Sequence, residues 1–123
     1  MNINQYANVV AAATVNNGGY SSPDMPGRFV AARSGTESVI ALEGEVFNMF
    51  VRRLADYMTE HNVDPDTGCI GHTGTYLGTW LDNGMVYIDH SRGFDSRGSC
   101  ELFARYHDQL AYYDREEGVS IYL

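Results

Sequence analysis

Residues 75–91, TYLGTWLDNGMVYIDHS, decide the fold. Asn83-Gly84 stands between two alternating runs, and a two-residue type I′ turn needs positive φ at both central positions, which Asn and Gly supply most readily. With those two as the loop, the register follows: Leu81 faces Val86, Trp80 faces Tyr87, Thr79 faces Ile88, Gly78 faces Asp89 and Leu77 faces His90. Strand side chains alternate, so the hairpin has two faces. One carries Leu77, Thr79, Leu81, Val86 and Ile88, and is the natural core face. The other carries Tyr76, Trp80, Tyr87 and Asp89, and is either a second packed surface or a recognition surface.

On the N-terminal side of this hairpin, residues 44–61 read as an amphipathic helix. Phe47, Phe50, Leu54, Tyr57 and Met58 make its apolar stripe, with Val46 and Val51 beside it and Arg52, Arg53, Asp56, Thr59 and Glu60 opposite. Glu43 and Glu45 suit the positive end of its dipole, and Pro65 lies beyond its end. Residues 64–74 form a glycine-rich loop into the hairpin. Further upstream, residues 28–33 and 38–42 are strand-like, with Ser34-Gly35-Thr36 as a turn between them. Residues 20–27 are a turn-rich connection that admits a short strand at 20–22. Residues 4–15 are Ala-rich and read as a helix, capped by Asn2 or Asn4 and ended by the Asn and Gly of residues 16–19, with a strand over 9–15 as the alternative.

On the C-terminal side, Asp95 is the expected N-cap of a second amphipathic helix, with Ser99, Leu102, Phe103, Tyr106 and Leu110 as its buried stripe and Cys100 at the edge. Residues 111–114 and 119–123 read as a last hairpin around a turn at 115–118. The whole is one α+β domain, residues 1–123, with an antiparallel sheet of hairpins in a ββαββαββ-like order after a short N-terminal helix. The two main helices pack on one face of that sheet.

A chain of 123 residues buries about two-thirds of its unfolded surface, enough for a core without staples. The formal charge is −8, from 16 Asp and Glu against 8 Lys and Arg. All the basic residues are arginine. That balance disfavours nucleic acid and anionic membranes, which need basic side chains; it serves solubility first and leaves room for a partner with a basic surface. No basic leader and no apolar run of membrane-spanning length is visible, and the two cysteines are far apart, so a reduced cytoplasmic setting is expected.

Several constellations invite chemistry. Cys69-x-x-His72 with Cys100 and His107 has zinc-like composition, but Cys100 and His107 are two helical turns apart, about 10 Å, so no metal is expected. Asp89-His90-Ser91-Arg92 gathers reactive side chains, yet neighbours on a strand point to opposite faces, so Asp89 cannot orient His90 and no catalytic residue is assigned. The glycine-rich loop lacks a phosphate-binding motif, and no cofactor is expected. What remains is the aromatic face: Tyr76, Trp80 and Tyr87, extended by Tyr112, Tyr113 and Tyr122. Tyr76, Trp80, Tyr87 and Tyr113 of that face, with Glu116 and Glu117 beside Tyr113, form the expected interaction surface.

The C-terminal half, from Tyr76-Leu77-Gly78-Thr79-Trp80 through Asn83-Gly84, Val86-Tyr87-Ile88-Asp89, Asp95 and Gln109-Leu110-Ala111 to Tyr113-Asp114, resembles a group of small accessory proteins of actinobacterial phages and related genomes. The resemblance carries no activity. It implies a phage or host accessory protein in the cytoplasm of a bacterium. The expected function is therefore a non-enzymatic acidic binding protein, an inhibitor or DNA mimic of a host or defence protein. The alternatives are a small enzyme using Asp89, His90 or His72, and an oligomeric phage component, with a homodimer as one form of partner.

Overall fold

The computed structural model describes residues 1–42 and 47–123. Three helices, α1 (Ile3–Asn17), α2 (Phe47–Glu60) and α3 (Arg97–Tyr106), cover one face of a seven-stranded antiparallel sheet. Its strands are β1 (Gly19–Ser21), β2 (Phe29–Ala32), β3 (Ser38–Ala41), β4 (Tyr76–Asp82), β5 (Met85–Phe94), β6 (Ala111–Asp114) and β7 (Val119–Tyr122). The fold class is α+β, as the sequence implies. The spatial order is β1-β4-β5-β2-β6-β7, with β3 also on β5.

The central hairpin has the expected register, Trp80 opposite Tyr87 and Gly78 opposite Asp89. Asn83 and Gly84 take φ of 50° and 75°, as a type I′ turn demands. Leu77, Val86 and Ile88 are fully buried. Against them pack Phe50, Leu54 and Met58 of α2, and Val10 of α1. Ala7, Ala11 and Ala55 are buried in the same cluster, where their small side chains suit close helix packing. Asn2 caps α1 with a capping box: its side chain accepts from the Gln5 N–H, and the Gln5 side chain accepts from the Asn2 N–H.

Five local readings are corrected. The segments at 28–33 and 38–42 do not pair with each other. β2 and β3 both pair with β5, one after the other along the same edge, and residues 34–37 bulge out between them. The ten-residue β5 offers an edge long enough for both. Within the bulge, the Thr36 hydroxyl accepts the His90 N–H at 3.2 Å in place of a strand carbonyl. In α3 the N-cap is Ser96, whose side chain accepts from Ser99 N–H, and not Asp95. The buried stripe of that helix is shifted by one residue: Cys100 and Ala104 are buried and Phe103 packs against them, whereas Leu102, Tyr106 and Leu110 are 73%, 82% and 83% exposed. The sheet supplies the bulk there, through Phe29, Phe94 and Tyr112, so the helix presents its small residues. Finally, Tyr112 points at α3, where its hydroxyl donates to Glu101 at 2.7 Å, and so leaves the aromatic face. Phe47 is also more open than its place in the α2 stripe implied, and the expected helical start at 44–46, with Glu43, Glu45 and Val46, lies outside the described residues.

Among the described residues no helix is long and apolar enough to cross a membrane. Replacing the fully buried Leu54 with Ala is expected to cost about 3 kcal/mol in urea unfolding, whereas Leu102→Ala on the exposed side of α3 is expected to stay within about 0.5 kcal/mol. Comparable losses at both positions would contradict the shifted α3 stripe.

Candidate functional site

Because all three helices lie on the aliphatic side, the other face of the sheet is left without a helical cover. Six strand positions laid flat would span roughly 24 Å. Here residues of both the first and last strands in the order, β1 and β7, line one groove of about 1060 Å³, so the sheet is curled around it.

The pairing registers say which side chains face this groove. Trp80 and Tyr87 are cross-strand neighbours with ring centroids 5.9 Å apart. Tyr113 and Tyr122 come in from β6 and β7. Between these aromatic walls the floor is made of small residues: Gly19 and Ser21 of β1, Gly78 of β4, Ala32 of β2, and Ser91 of β5. Gly78 has a steric reason. A Cβ there would lie 2.6 Å from Ser91 Oγ and 2.9 Å from Asp89 Oδ1.

Asp89 sits on this floor. Ser91 Oγ donates to its Oδ1 at 2.7 Å, and among the described residues it has no other hydrogen bond and no basic side chain within ion-pairing distance. Burial pushes its carboxyl up from 3.8 to about 7; the Ser91 hydrogen bond opposes that and the charge of Glu37 adds to it. Three further carboxylates, Glu37, Asp82 and Asp108, line the groove. The cation that lines it, Arg115, is anchored elsewhere: its guanidinium donates to the carbonyls of Met25, Gly27 and Ser22 at 2.6, 3.0 and 3.3 Å.

The six residues of the expected interaction surface are thus distributed. Trp80, Tyr87 and Tyr113 stand together in the groove, Trp80 being 47% and Tyr113 39% exposed. Tyr76 shares their face by register but does not line the groove. Glu116 and Glu117 lie at the β6–β7 turn, and Arg28 reaches them at 3.2 and 3.9 Å. Arg28 also makes a bidentate pair with the buried Asp114, both bonds 2.9 Å, and Asp114 accepts the N–H groups of Glu116 and Glu117. These bonds, the one from Arg28 foremost, lower the Asp114 carboxyl to about 2. Asp114 organises a turn, a role that no sequence motif announces.

His90 lies on the opposite side of the sheet from Asp89, buried, with Nε2 3.0 Å from His61 Nδ1 and with Nδ1 lacking a partner among the described residues. His61 in turn stacks on Tyr57. Burial, then His61 and Arg33, lower His90 from 6.5 to about 4. No base–orienter contact joins His90 to Asp89, and His72 is exposed on the loop before β4. Cys100 is buried under α3 with its thiol pushed up to about 12 by burial, and His107 accepts from the Ser34 N–H at 3.1 Å. Among the described residues no three His, Cys, Asp or Glu side chains gather as a metal site.

Comparison with protein-family models, with curated proteins and with solved structures gave no match.

The two adjacent groups titrate in opposite senses. Asp89 holds its proton more tightly in the folded state, so its contribution to stability is greatest below pH 3.8 and is lost as pH rises to about 7. His90 holds its proton less tightly, so its contribution is present above pH 6.5 and is lost as pH falls to about 4. Urea unfolding across this range is expected to show Asp89→Asn more stable than the parent above about pH 7, with the gain vanishing near pH 4. The same variant should lose stability more steeply on acidification, because His90 is then unopposed. A parent and variant that differ by a constant amount at every pH would contradict the assignment.

Proposed function

We propose that this chain is a non-enzymatic binding protein, phage-related in setting and acting in the bacterial cytoplasm, that engages a protein partner through the concave face of its sheet. One observation supports this reading above the others: the uncovered face is a groove large enough for a partner segment, walled by Trp80, Tyr87, Tyr113 and Tyr122 and lined by four carboxylates. Tyr and Trp are the side chains that anchor interfaces, because they bury large area at little conformational cost. The carboxylates match a partner with a basic surface and would speed encounter with it. Occupying such a surface is how the protein would inhibit.

DNA mimicry draws less support. It needs free carboxylates in a phosphate-like row, and Glu116 and Glu117 are instead drawn to Arg28 with Asp114. Acid–base catalysis by an Asp–His pair draws none, since Asp89 and His90 occupy opposite faces. The test is capture of a partner from bacterial lysate, followed by titration of the purified pair. Trp80→Ala and Tyr113→Ala are each expected to weaken binding about tenfold or more without lowering the thermal midpoint, and added salt to weaken it further. Tyr106→Ala, on the outer side of α3, is expected to have no effect. A partner that binds the two groove variants as tightly as the parent would overturn the reading.

A further inference from the structure

Resting on the reading of the groove as a binding face, we propose that its occupant is an arginine-bearing segment of the partner, with the guanidinium seated on Asp89 between the aromatic walls. The argument begins from a missing counter-charge. Among the described residues, Asp114 and Asp89 are both enclosed carboxyls, and they are treated oppositely. Asp114 has a bidentate guanidinium and two backbone N–H donors. Asp89 has one hydroxyl, and no cation among the described residues. An enclosed carboxylate without a cation is costly, and folding does not require one at a groove floor where Asn would fit the same space.

The surroundings select the kind of cation. Gly78, directly across from Asp89, leaves the carboxylate open to the groove instead of roofed by a side chain. One pleat further along the same two strands stand Trp80 and Tyr87, so an incoming group that reaches Asp89 passes beside two π faces. A guanidinium is planar, stacks on such rings, and bonds a carboxylate through two parallel N–H groups. The remaining carboxylates of the lining repel anions and favour a segment with more than one basic residue. Proton linkage gives the binding a pH signature: the guanidinium pairs with the ionised form, so binding expels the proton that burial retains on Asp89 below about pH 7.

The probe is a capped hexapeptide of alternating arginine and glycine, with its citrulline counterpart as the neutral isostere, titrated into the isotopically labelled protein at about pH 8 and again at about pH 6. The expected result is saturable binding that moves the Trp80 indole and the Gly78 and Asp89 amide resonances. Affinity should fall about 30-fold in Asp89→Asn and for the citrulline peptide, and severalfold in the parent at the lower pH. Because Asp89→Asn is expected to be the more stable protein at the higher pH, unfolding would not explain its loss. Equal binding by parent and Asp89→Asn, shifts confined to the turn holding Glu116 and Glu117, or no saturation at millimolar peptide would each overturn the assignment. So would a dimer, seen by sedimentation without peptide and abolished by Asp89→Asn, since the arginine would then come from a second copy. These failures leave the groove reading intact, because that reading stands on partner loss in Trp80→Ala and Tyr113→Ala and not on the arginine peptide.

Discussion

The structure depends on the two-residue period of β4 and β5. A turn with both central residues at positive φ locks their register, and the register decides the side on which every following residue lies. One residue of slip would send Leu77, Val86 and Ile88 into the groove and Trp80, Tyr87 and Asp89 under the helices. Burying Asp89 against Phe50, Leu54 and Met58 would put a carboxyl in hydrocarbon, and exposing three aliphatic side chains would forfeit several kcal/mol more. Turn chemistry and burial therefore agree, and the agreement reaches the neighbours: β1 takes its register from β4, and β2 and β3 take theirs from β5.

How much could be read from the sequence follows from how local each signal is. The hairpin register, the sorting of its faces and the stripe of α2 rest on periodicity within one element, and each is found in the structure, Phe47 of the stripe excepted. The pairing of β2 and β3 does not have that character. Ser34-Gly35-Thr36 has turn composition whether the chain reverses or bulges, and the choice was made by the length of β5, which lies fifty residues away and is visible only once the strands are assembled. The α3 stripe failed for a related reason. A hydrophobic pattern identifies large apolar residues, but the sheet below α3 already carries Phe29, Phe94 and Tyr112, so the face that fits is the one with Cys100 and Ala104. Tyr112 and Tyr113 could be separated by alternation alone, since adjacent strand residues cannot share a face.

The candidate site was half legible on the same grounds. Trp80, Tyr87 and Asp89 are brought together by the hairpin itself, whereas Tyr113, Tyr122, Glu37 and Asp108 join them only because the sheet curls. Gly78 was the available local clue. A glycine in a strand interior opposite a carboxylate marks a place where something approaches closely, here Asp89 and Ser91.

Asp89 and His90 occupy consecutive positions and face opposite environments, and each is held away from its charged form by burial. Between about pH 4 and 6.5 the stability slopes they impose have opposite signs, so the hairpin that carries both is buffered against acid where either residue alone would tilt it. The compensation is not symmetric. His90 is locked between helix and sheet and shares its Nε2 with His61, so its state is fixed by folding. Asp89 opens to the groove, so its state can still be changed by what enters. A cation bound there would convert the carboxyl to its ionised form and cancel its half of the balance. The bound protein would then carry the acid sensitivity of His90 alone, and the complex should be stabilised over the free chain most strongly above pH 7, where the ionised Asp89 is otherwise uncompensated.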